Sequence, residues 1–113
     1  MRLDCTGDAM FLALVSMIQV TRPSLLKPAE GGFDVDVSPL LAQIDVTDDE
    51  RLVLRIYGVL SNIGEQTSVS LELSATEAAR LDRALSLVQS AGTWPADALT
   101  LTSKLRASLQ SRP

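Results

Sequence analysis

A chain of 113 residues fits one domain with one core, and an apolar content of 46% is enough to offset the entropy of ordering, which excludes a disordered chain. There is no histidine and one cysteine, Cys5, which excludes serine–histidine and cysteine–histidine catalysis, zinc sites of the usual Cys/His kinds and any intramolecular disulfide. The net charge of −4 is uneven: residues 1–50 hold nine acids and three bases (−6), and residues 51–113 hold five acids and seven bases (+2). The whole chain therefore repels nucleic-acid phosphates, while its second half leaves room for a local basic patch. A lone cysteine agrees with a reducing compartment, so a cytoplasmic location is expected.

The first element is the run AMFLALVSMIQV at 9–20, apolar on every side if wound as a helix. It is shorter than the ~18 residues of a membrane span and is interrupted by Ser16 and Gln19. It is also a poor leader, because Asp4 and Asp8 counter Arg2 and VTRPS is a poor cleavage site. A buried element is expected, helix before strand, with Asp8 as a candidate cap and an oligomer seam as one use for its apolar surface. Residues 21–32, with Pro23, Pro28 and Gly31-Gly32, read as a loop or short linker.

Period-two alternation then predicts strands near 33–37, 42–46, 52–59 and 67–73. SVSLEL is the cleanest, with Val69, Leu71 and Leu73 alternating with Ser68, Ser70 and Glu72. The stretch IDVTDDERLVLRIYG admits two structures. As a hairpin, TDDE is the loop, Val53, Ile56, Tyr57 and Val59 suit a strand, and the 67–73 strand gains partners. As a helix, Thr47 and Glu50 form a capping box, Asp48, Asp49 and Glu50 meet the positive end of the dipole, and Gly64 lies past the end. The hairpin is the reading adopted, since a two-stranded ribbon is marginal and Gly58 in mid-helix costs about 1 kcal/mol against alanine.

The remainder is helical. Ser74 and Glu77 make a second capping box, followed by Ala78, Leu81, Leu85 and Val88 at helical spacing, with Gly92 placed to end the helix. After TWP, with Pro95 at an early-helix position, Ala98, Leu101, Leu105 and Leu109 form one stripe. Two helices so closely joined should form an antiparallel hairpin. The expected fold is thus α+β in a single domain: a small antiparallel sheet packed by a helical hairpin at 75–91 and 96–109, with a buried element at 9–20.

Little of this carries chemistry. The acids at 48–50 lack the spacing of a calcium loop and read as a solvated turn, with a divalent-cation or carboxylate site as an alternative. Cys5 sits among acids and reads as inert. Arg80, Arg83, Lys104 and Arg106 could gather on the helical hairpin, yet none of the four aromatics, Phe11, Phe33, Tyr57 and Trp94, lies among them to stack on bases. Trp94 reads as a staple between helices or, if exposed, an interface anchor. The expectation is a non-catalytic protein-interaction or regulatory protein, a homodimer being one form of it. Its candidate interaction residues are Trp94, Arg80 and Arg83. No cofactor, metal or membrane span is expected, and a nucleic-acid accessory role on the basic helix faces is the alternative.

Overall fold

The computed structural model describes residues 2–29, 32–64, 67–91 and 94–110. The chain runs β1 (Arg2–Thr6), α1 (Gly7–Thr21), a 3-10 turn (Pro23–Leu25), β2 (Leu26–Ala29), β3 (Gly32–Val35), α2 (Ser38–Leu41), α3 (Asp48–Ser61), β4 (Ser68–Glu72), α4 (Ala75–Ala91) and α5 (Ala96–Gln110). The expected α+β class holds, but helices dominate and the sheet is smaller than expected.

The apolar run at 9–20 is a helix at the centre of the core. Its Met10, Ala13, Met17 and Ile18 are wholly buried, packed among α3, α4 and α5. The chain's own helices cover most of the run's apolar surface and leave Phe11 and Val20 exposed. Thr6, not Asp8, caps α1, accepting from the Ala9 amide at 3.2 Å.

The single expected sheet is, among the described residues, two separate antiparallel ribbons, β1–β4 and β2–β3. The 67–73 strand is present as β4, and its partner is the N-terminal β1, in the register Leu3↔Leu71 and Cys5↔Val69. The 33–37 strand is present as Gly32–Val35, while Val37 caps α2. It pairs with β2, which lies inside the expected linker. Pro28 is tolerated there because in a two-stranded ribbon each strand is an edge.

Two expected strands are absent. Residues 42–46 form no strand but connect α2 to α3, and Ile44 is fully exposed. Residues 52–59 lie inside α3. Both halves of the Thr47–Glu50 box form: Glu50 N–H donates to Thr47 Oγ1 at 3.1 Å, and Thr47 N–H donates to Glu50 Oε1 at 2.9 Å. Helical spacing then buries Leu52, Val53 and Ile56 completely. Burial of each contributes about 1.5–3 kcal/mol, which outweighs the roughly 1 kcal/mol cost of Gly58. After the helix, Gly64 turns the chain at φ 60°, the left-handed region where glycine carries no Cβ penalty.

The C-terminal hairpin is as expected. The Ser74–Glu77 box is complete, at 2.9 and 3.1 Å, and α5 starts with Leu99 N–H donating to the Pro95 carbonyl at 3.0 Å. Gly92 and Gly31 lie outside the described residues.

Candidate functional site

The carboxylates at 48–50 do not face a common point. Glu50 is drawn back into its own cap and lies 3.6 Å from Arg22. Asp49 pairs with Arg80 at 2.7 Å, and the more exposed Asp48 lies 3.7 Å from the same guanidinium. Among the described residues, no three cysteine, aspartate or glutamate side chains converge to hold a metal ion. These acids are the first turn of α3, not the tip of a hairpin, so their roles are capping and ion pairing.

Several carboxyls are held below the usual range by local partners: Glu50 by the Thr47 amide, Glu77 by Arg55, and Asp4 by Ser70. Asp36 is lowered to about 2, chiefly by Ser38. A depressed folded-state pKa contributes stability that is complete above the unfolded value, about 4 for a carboxyl, and is lost as pH falls through the folded value. With no histidine to titrate between pH 5 and 8, the melting temperature should hold steady from pH 7 to about 5. It should then fall progressively towards about pH 2, where Asp36 takes up its proton. A thermal melt series across that range checks this, and a melting temperature that rises on acidification would contradict it.

Arg80 and Arg83 do come together. One turn apart on α4, they line a groove of about 500 Å³ with Met17 and Val20 of α1, Asp49 of α3, and Ala84 and Leu87 further along α4. Arg80 is occupied by Asp48 and Asp49, whereas Arg83 is exposed and has no ion pair among the described residues. The other two cations lie elsewhere. Lys104 lines a separate recess with Asp4, Cys5 and Ser108. Arg106 is held in the α4–α5 seam, donating to Asp82 at 3.0 Å and Gln89 at 2.9 Å. No four-cation face assembles. Trp94 is half-buried in the α4–α5 connector and does not line the Arg80–Arg83 groove.

Periodicity did not single out the apolar side chains at this end of the molecule. Val20 is 43% exposed and Leu87 49%, both in the groove. Leu41 is 70% exposed and Ile44 fully so. They flank Gln43, whose Oε1 accepts from Arg22, two residues beyond Val20. These four and Phe11 are the large apolar side chains that stand exposed among the described residues. A signal for Leu87 exists in the sequence, since it lies off the stripe of Ala78, Leu81, Leu85 and Val88.

Cys5 is half-buried on β1, and burial, with Asp4 adding to it, pushes its thiol up to about 11. It is therefore almost wholly protonated at neutral pH and a poor nucleophile. Among the described residues, no helix is long and apolar enough to cross a membrane. In comparisons with protein-family models, curated proteins and solved structures, nothing matches this chain.

Proposed function

We propose that this protein acts by binding another protein, as a non-catalytic interaction or regulatory subunit in a reducing, cytoplasmic setting. The observation that carries this reading is the pair of exposed apolar side chains Val20 and Leu87 in a groove rimmed by Arg80 and Arg83, with Leu41 and Ile44 also exposed on either side of Gln43, which binds Arg22 just beyond Val20. Clustered exposed apolar side chains with a polar rim are the usual mark of a protein-binding surface. Arg83, without an ion pair among the described residues, favours a partner segment that brings apolar anchors together with a carboxylate, the pattern of an amphipathic helix laid into a groove. A fully exposed isoleucine on a connector suits a knob that inserts into the partner. The nucleic-acid reading has less support, because Arg55, Arg80 and Arg106 are each already engaged by acids.

Affinity capture from the native host tests the proposal. A partner retained by the wild-type chain should be lost from Leu87→Asp and from Ile44→Asp, each weakening binding by at least about 2 kcal/mol, the scale of an interface hot spot. Both side chains are already exposed, so both variants should melt with the wild type. Arg83→Glu should weaken binding further at low salt than at high salt. Identical captured proteins on wild type and on both aspartate variants would overturn the proposal.

A further inference from the structure

A second candidate surface is the open edge of β4. Gly7 N–H donates to the Thr67 carbonyl at 3.1 Å. In an antiparallel ladder the main-chain groups of alternate residues point the same way. The odd-numbered residues of β4 therefore bond to β1, and the main-chain groups of Ser68, Ser70 and Glu72 point outward. The guanidinium of Arg55, which donates to the Glu72 carbonyl, marks that outward direction. Among the described residues, no strand pairs with this edge.

Beside the edge runs a groove of about 570 Å³, walled by Arg55, Gly58, Val59 and Asn62 of α3 and by Val69–Glu72. A Cβ built on Gly58 would meet nothing within 4 Å. Gly58 thus sits in mid-helix, where glycine is unfavourable, with no neighbour among the described residues requiring it. A second body approaching closely along the groove would give it a reason.

We infer that β4 pairs edge to edge with β4 of a second copy of this chain, antiparallel about a two-fold axis through Ser70. The sequence of β4 is self-complementary in that register. Ser70 faces Ser70 of the second copy, and Ser68 faces Glu72 of the second copy, so no carboxylate meets a carboxylate. On the other face, Val69 stands opposite Leu71 of the second copy; both are already buried within each chain, so the pairing rests on the main chain and the polar face. Two marginal ribbons become one four-stranded sheet, and the open edge of β4 finds a partner. The pattern reads alike in both directions, which favours a second copy over an unrelated extended peptide.

Sedimentation equilibrium of the full chain tests this. The wild type should reach twice 12.1 kDa reversibly with concentration. Ser70→Glu should sediment as the monomer at the same concentrations, as should Ser70→Lys, because like charges face each other across the axis. A mixture of the two should recover the dimer mass, since the charges then pair. Gly58→Gln repeats the test without altering β4: its side chain extends into open space in one copy and into the partner strand in the pair, so this variant should be a folded monomer. A monomeric wild type, a dimeric Gly58→Gln, or a mixture that fails to re-associate would each overturn the inference. Leu87→Asp and Ile44→Asp should leave the dimer mass unchanged. If they abolish it, self-association belongs to the apolar end and the β4 pairing is wrong, whereas failure of partner capture alone leaves the β4 pairing standing.

Discussion

Leu52→Ala should lower the unfolding free energy by about 2–5 kcal/mol, the range for truncating a fully buried leucine, and Leu54→Ala by less than half as much. The two residues are two positions apart and chemically identical, so their contrast reports backbone geometry. In a strand they would share a face with Ile56 and lose stability together. In α3 they lie about 200° apart: Leu52 and Ile56 are wholly buried, and Leu54 is only partly covered. Urea denaturation of the two variants reads the difference from the midpoints. Equal losses for Leu52→Ala and Leu54→Ala would contradict the helix.

Removal of residues 1–6 should abolish the cooperative unfolding transition. Deletions at chain ends are commonly tolerated, so this is a demanding expectation. It follows from what β1 does. Leu3 is 1% exposed, β1 is the only described partner of β4, and Thr6 caps the central helix. Loss of the strand uncovers Val69 and Leu71 and leaves the Ala9 amide at the start of α1 without its side-chain cap. Leu3→Ala alone should cost about 2–5 kcal/mol. Circular dichroism melts of the shortened chain and of Leu3→Ala check both, and a truncated chain that melts at the full-length temperature would contradict the role of β1.

Where sequence and structure agree, the signal was doubled. The Ser74–Glu77 box and the stripe behind it are two independent local marks, and the helical hairpin is where they place it. IDVTDDERLVLRIYG carried two conflicting marks. The strand preference of Val53, Ile56, Tyr57 and Val59 is small per residue and depends on neighbours. The cap, the dipole and the burial of one broad face all favour the helix, and together they prevail. The partner of β4 is hard to read from the sequence for a different reason. RLDCT does alternate, with Leu3 and Cys5 against Arg2, Asp4 and Thr6, but five residues give a weak period, and the strand that confirms it lies some sixty residues away along the chain. Without β1, partners for β4 had to be sought in 42–46 and 52–59.

The candidate site was legible in part. Arg80 and Arg83 are spaced to share a helix face, and they share a groove. The apolar half of that surface was not legible, because the exposure of Val20, Ile44 and Leu87 is decided by what the rest of the chain leaves uncovered. Ile44 illustrates this best: alternation assigned it to a buried strand face, whereas it stands fully in solvent. The basic cluster failed in the opposite sense. Arg106 lies near Lys104 in sequence, but Asp82 and Gln89 hold it in the seam between α4 and α5.

The most direct test of the proposed partner-binding surface is photo-crosslinking in the native host from single positions of the full chain. A photoreactive residue at 44 or at 87 should yield adducts with one and the same protein, and the same residue at Thr100 or Ser108, both exposed on α5, should yield none. Adducts of equal yield from all four positions, or none from 44 and 87, would contradict the assignment of this surface.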